Sequence, residues 1–167
     1  LLKDSKKFSI MIERDDSNYL SNFMDSINLV SSPPFFDENL DYLKEDWKDL
    51  LFEKDCVIHC AGRAHKVYEN EYSSLEKYRL INFETTKKIA IQCAMVGVKR
   101  LIFLSSVGVL GNNTNNRKPF LYSDEPNPME DYAISKLEAE RSLLEISNNT
   151  GLEIVVIRSP IVYGPSA

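Results

Sequence analysis

Tyr132 and Lys136 stand four residues apart in the run Tyr132-Ala-Ile-Ser-Lys136. On a helix that spacing puts both side chains on one face, roughly 5–6 Å apart at Cβ. A tyrosine has a pKa near ~10 and is a poor base at neutral pH. An ammonium beside it favours the phenolate, so the pair is a candidate acid–base device near neutrality. Pairs at this spacing are common on helices, so this one gains its meaning from its company. Two apolar runs upstream end in small or hydroxyl residues: Arg100-Leu-Ile-Phe-Leu-Ser105-Ser106 and Cys56-Val-Ile-His-Cys60-Ala61-Gly62. Read as strands, they deliver Ser and Gly to the carboxyl edge of a parallel sheet, where open α/β folds bind ligands.

Other chemistries find less support. A zinc site needs several Cys or His at ligand spacing, and the chain has Cys56, Cys60, Cys93, His59 and His65. The three cysteines sit in apolar segments and read as buried reduced thiols of a cytoplasmic protein. The net charge of −5 argues against a nucleic-acid footprint. No apolar run approaches the ~20 residues of a membrane span, and this stretch holds no basic-then-apolar leader. The 167 residues suffice for one domain with a core.

The elements that must position the chemistry follow from pattern. Phe8–Ile12 reads as a strand ending at Glu13-Arg14. Ser31-Ser-Pro-Pro34 is a turn signal, and Asn39–Tyr42 is the expected third strand. Glu45–Phe52 reads as a short helix with Trp47, Leu50 and Leu51 on its apolar face. Cys56–Ala61 is the next strand. Ser73–Val96 reads as a long helix with the stripe Leu75, Tyr78, Ile81, Ile89, Cys93 and Val96, closed by Gly97. Asn82 sits among these residues as a polar group in need of a partner. Leu101–Leu104 is a strand, and Asn112–Pro128 a polar, Pro-containing loop forming part of a substrate rim. Glu130–Ser147 is the helix carrying Tyr132 and Lys136, with Glu138, Glu140 and Glu145 expected on a solvated face. Asn148-Asn-Thr-Gly151 ends it, and Glu153–Ile157 is a last strand.

Five motifs in order, Val57-Ile-His-Cys-Ala-Gly62, Asn82 in Leu80–Thr86, Phe103–Gly111, Tyr132-xxx-Lys136 and Arg158–Pro165, make the chain resemble the extended short-chain dehydrogenase/reductase superfamily. The likeness is to its NAD-dependent nucleotide-sugar epimerase/dehydratase branch and runs from about Asp41 onward. It implies an α/β fold, a partial Rossmann-type doubly wound parallel sheet in three α/β/α layers. It also implies an NAD(P)-binding domain over residues 1–167, incomplete at both ends, and a homodimer when whole. The six glycines include no GxxGxxG turn, so the chain reads as starting inside the first helix of that fold.

The resemblance assigns catalysis to Ser106, Tyr132 and Lys136. For the cofactor it implies Glu13 on the adenosine ribose, or Arg14 on a 2′-phosphate if the cofactor is NADP, and Asp41 near the adenine. It further implies Cys60, Ala61 and Gly62 beneath the cofactor, then Asn82, Ser105, Tyr132, Lys136, Ser159 and Pro160. His65 lies in a loop at the mouth, as a surface residue or a substrate-phosphate contact. The expected cofactor is NAD, with NADP possible, and the expected substrate a nucleotide sugar. A 4,6-dehydratase usually has Thr-Asp-Glu where this chain has Ser106-Val107-Gly108, which disfavours that reaction. What remains is a UDP-sugar 4-epimerase or 4-reductase of surface-polysaccharide synthesis. The alternatives are a non-catalytic dinucleotide-binding or regulatory protein of the same fold, or an inactive truncated product.

Overall fold

The computed structural model describes residues 8–12, 27–31, 44, 46–63, 75–115 and 117–161. Five parallel strands form one sheet: β1 (Phe8–Ile12), β2 (Ile27–Ser31), β3 (Cys56–His59), β4 (Arg100–Ser106) and β5 (Glu153–Ser159). Their spatial order is β2-β1-β3-β4-β5. That is the doubly wound order of dinucleotide-binding sheets without its central strand among the described residues. The third strand was expected at Asn39–Tyr42, which lies outside the described residues; the strand paired to the far side of β1 is Ile27–Ser31.

Side chains alternate across β4. Leu101, Phe103 and Ser105 are buried, while Ile102 and Leu104 on the opposite face are half-buried. The register sets Val57 beside Leu101 and His59 beside Phe103, so these four share the buried face. Over that face lie α1 (Lys48–Leu51), α3 (Thr85–Met95) and α4 (Asp131–Thr150), which contribute Leu51, Ile89, Ala90, Cys93, Ala139, Leu143 and Ile146 to one apolar core with Trp47, Leu101 and Phe103. These helices make one of the two helical layers of a doubly wound fold. Leu50 departs from the expectation. Trp47 and Leu51 are buried but Leu50 is 43% exposed, because a one-turn helix has room for few inward positions.

The expected long helix is three pieces. α2 (Leu75–Tyr78) runs into a π-helical turn, Arg79–Glu84, and then into α3. Such turns hold one residue more than an α-helical turn and are frequent at functional sites. α3 ends in a Schellman motif: the Val98 N–H donates to the Cys93 carbonyl at 3.0 Å and the Gly97 N–H to that of Ala94 at 3.4 Å. Gly97 has φ of 83°, which a side chain rarely adopts. α4 runs three residues past the expected end and stops at Gly151, also left-handed at φ 77°.

Candidate active site

The carboxyl ends of β3, β4 and β5 and the first turns of α4 surround a cavity of about 640 Å³. Cys60, Gly62, Ser105, Ser106, Tyr132, Lys136, Ser159 and Pro160 all line it. Ala61 is buried beside them, and Asn82 lies fully buried behind the wall. Glu13, Arg14, Asp41 and His65 fall outside the described residues.

Lys136 is almost completely buried, 3% exposed. Its Nζ donates to the Leu104 carbonyl at 3.1 Å and lies 4.8 Å from the Phe103 ring centre and 5.8 Å from that of Tyr132. The ammonium is felt around the site. It adds to burial in holding the His59 pKa down to about 3. At Cys60 it opposes burial, which raises the thiol. His59 is therefore a neutral imidazole, with Nε2 2.8 Å from Thr86 Oγ1.

Ser106 closes β4 in extended geometry and caps the 3₁₀ turn Val107–Leu110. Its Oγ accepts the Gly108 N–H at 3.1 Å. A hydroxyl has one proton and two lone pairs, so this bond uses an acceptor site and leaves the proton for a group in the cavity. Ser105, one residue earlier, points to the helical layer and donates its hydroxyl to Glu140 Oε1 at 2.5 Å.

Asn82 ties the walls together. Its Oδ1 accepts the Arg63 N–H at 2.7 Å, and its Nδ2 donates to the Arg63 carbonyl and to Ser135 Oγ, both at 3.0 Å. Ser135 in turn donates to the Tyr132 carbonyl at 2.7 Å. The Tyr78 ring meets that of Tyr132 edge-on, with centres 6.2 Å apart. The π-helical turn brings Asn82 inward, and the residues on either side of that turn face different neighbours.

Two acids overturn the solvated-face expectation. Glu140 is 8% exposed and accepts Arg158 Nη2 at 2.7 Å and Nε at 3.2 Å as well as Ser105. Glu138 pairs with Arg79, Nη2 to Oε1 at 2.5 Å. Glu145 is exposed as expected. Arg158 and Ser105 are paired in register on neighbouring strands, so an inward acid on α4 meets both. Glu130 and Asn112 also line the cavity and bond each other at 3.3 Å; polar loop residues give no periodic signal that could have singled them out.

A family model for the NAD-dependent epimerase/dehydratase family matches residues 13–167. The chain belongs to that family. Among curated relatives of this epimerase/dehydratase chain, a UDP-glucose 4-epimerase of Vibrio cholerae is 43% identical over 120 residues, covering 72% of this chain and 37% of that protein. A methionine adenosyltransferase 2 subunit beta of Bos taurus is 34% identical over 114 residues, 68% of this chain and 31% of that protein. The chain thus spans about a third of the length of these relatives. Among solved structures, a UDP-glucuronic acid 4-epimerase from Bacillus cereus in complex with NAD superposes with a TM-score of 0.72 at 20% identity, covering all of this chain and 53% of that one. It shares the Rossmann-like fold.

The residues present fit the family's dinucleotide. At Gly62 an added Cβ would stand 2.8 Å from Lys136 Nζ and 3.1 Å from Asn82 Oδ1. A bare backbone therefore approaches the one buried cation lining the cavity among the described residues, as a floor beneath a flat ligand requires. Gly62, Ser159 and Pro160, which line the cavity with Lys136 and Tyr132, are the described residues that would hold it.

Proposed function

We propose that this chain contributes the NAD-binding domain and the acid–base groups of a UDP-sugar 4-epimerase. The observation that carries the reading is the meeting of Ser106, Tyr132, Lys136 and Gly62 in one cavity. When bound, the nicotinamide ring supplies the hydride acceptor and donor. Tyr132, as phenolate, would take the proton of the sugar C4 hydroxyl as C4 is oxidised to the ketone. Lys136 favours the phenolate through its charge and orients the cofactor's ribose. Ser106 donates to the C4 oxygen, so charge developing there meets a fixed donor. When the ketone is reduced again on its other face, Tyr132 would return that proton to the C4 oxygen, so each group of the chain would end as it began. The named Vibrio cholerae relative favours epimerase over 4-reductase. A setting in surface-polysaccharide synthesis in the cytoplasm, and a homodimeric whole protein, belong to the same proposal.

The test is to incubate the full-length protein with NAD and UDP-glucose or UDP-N-acetylglucosamine and resolve the 4-epimers. Interconversion without net reduced cofactor is expected, and Tyr132→Phe should lower it by ~10²–10⁴-fold. Consumption of added NAD(P)H by a 4-keto sugar would instead identify a reductase. Turnover retained in Tyr132→Phe would remove Tyr132 as the base.

The relative named as a subunit of methionine adenosyltransferase supports a second reading, a binding subunit of the same fold. NAD binding with no turnover of any UDP-sugar would favour it.

A further inference from the structure

Tyr132, Lys136 and Glu140 follow at intervals of four and form one row along α4. The first two belong to the proposed reaction. Glu140 does not line its cavity; it lines a neighbouring one of about 790 Å³ with Arg158. Yet it is buried, and its carboxylate holds three parts of the fold at one point. Oε1 accepts the Ser105 hydroxyl from β4 at 2.5 Å. Arg158 of β5 grips both oxygens, Nη2 to Oε2 at 2.7 Å and Nε to Oε1 at 3.2 Å. Arg158 Nη1 also reaches the Tyr122 carbonyl, in the loop before α4, at 3.4 Å.

The register gives this knot its meaning. Ser105 pairs with Arg158, and the next pair along is Ser106 with Ser159. Glu140 thus clamps both strands one step before the pair that lines the proposed site. One helical turn nearer the cavity, Lys136 clamps the same strand at the Leu104 carbonyl. An ordinary helix–sheet contact is apolar and non-directional. Charge-assisted bonds to a buried carboxylate are short and directional, and a partly buried guanidinium left without its acid is costly.

We infer that Glu140 is a positioning residue: its clamp on Ser105 and Arg158 fixes the offset between the Tyr132–Lys136 row and the strand ends carrying Ser106 and Ser159. This rests on the reading of Ser106, Tyr132 and Lys136 as the reacting groups. Displacement of a reacting group by about 1 Å can cost ~10²-fold in rate, so the effect belongs in kcat.

The experiment measures kcat, KM and the thermal unfolding midpoint of the full-length protein with Glu140→Ala, Glu140→Gln and Ser105→Ala, beside Tyr132→Phe. Glu140→Ala should lower kcat by about 10- to 100-fold while KM for the UDP-sugar stays within about twofold. Glu140→Gln, whose amide oxygen still accepts the Ser105 hydroxyl but which loses the charge-assisted grip on Arg158, should fall between Glu140→Ala and wild type. A kcat within about twofold of wild type in folded Glu140→Ala, or a Glu140→Gln no better than Glu140→Ala, overturns the inference. If Glu140→Ala does not fold, Ser105→Ala decides, since it removes one hydroxyl: a several-fold fall in kcat supports the clamp and an unchanged kcat overturns it. Should Tyr132→Phe keep its turnover, the reading of the site itself fails. Should Tyr132→Phe lose turnover while Glu140→Ala keeps it, only the clamp fails.

Discussion

The two halves of α4 turn the same face to the sheet and use it for opposite ends. In the first half Ala133, Leu137 and Ala139 are buried beside three polar residues, Ser135, Lys136 and Glu140, and each polar one is held by a named partner: the Tyr132 carbonyl, the Leu104 carbonyl, and Ser105 with Arg158. In the second half Leu143 and Ile146 pack in the core that contains Trp47, Ile89, Cys93 and Phe103, and Ser142 is the buried polar residue. Burial of charge is unfavourable unless bonds replace the lost water. Burial of Leu143 is favourable without any partner. The apolar half therefore supplies stability from which the polar half can be desolvated and held still. Burial leaves its mark at either side of Phe103, where His59 is held to about 3 and Cys93 is pushed up to about 12, so both side chains are neutral at physiological pH.

The sharpest way to break this comparison is to exchange charge for hydrocarbon in the polar half. Lys136→Met in the full-length protein should lower turnover at neutral pH by about 10²-fold or more and weaken NAD binding. Its unfolding midpoint should stay close to wild type, because replacing a buried charge by an apolar side chain of similar volume is often neutral or stabilising. Steady-state kinetics with calorimetric unfolding checks both, and a large loss of stability with turnover intact would reverse the assignment.

The apolar half should answer the other way. Leu143→Ala should destabilise by about 2–5 kcal/mol and leave kcat nearly unchanged at temperatures where the variant is folded. Denaturant titration beside kinetics would detect the opposite outcome, a stable but slow enzyme.

His59 sharpens the comparison by a smaller effect, one of pH. The unfolded histidine gains a proton below about 6.5, whereas the folded one, buried beside Lys136, stays neutral down to about 3. Between those values the unfolded state binds more protons. The contribution is fully present above the unfolded value and is lost as pH falls towards the folded one. Unfolding midpoints should fall over that window, and His59→Leu should flatten the slope. An unchanged slope would mean that the polar half admits water.

Most of what positions the site was legible. Cys56–His59, Arg100–Ser106 and Glu153–Ser159 announce themselves as apolar runs, and Gly151 marks the end of α4. Ile27–Ser31 did not: five residues with Asn28 second and Ser31 opening the run Ser-Ser-Pro-Pro give too short an alternation to separate strand from turn. Glu140 was misread because a charge on a helix is usually solvated. Only the strand register, which brings Ser105 and Arg158 together, reveals that its position points inward. Tyr132 and Lys136 were readable because their spacing is local, and Ser106 because the Phe103–Gly111 motif carries it. Their supports were not, since they join residues 18 to 53 positions apart.

The π-helical turn Arg79–Glu84 makes this part of the chain sensitive to counting rather than to composition. Insertions and deletions are ordinarily tolerated in loops and resisted in helices. Here the extra residue is itself the structural feature. Upstream of it Tyr78 meets Tyr132, at its first residue Arg79 meets Glu138, and downstream Ile89 and Cys93 enter the core. Deleting one residue from the turn would restore an uninterrupted α-helix and swing one side of it by about 100° against the other. Asn82 would then lose either Arg63 or Ser135, although every side chain named in the site had been kept. A relative of equal identity but one residue shorter at this point would share the letters of the site without sharing its phase.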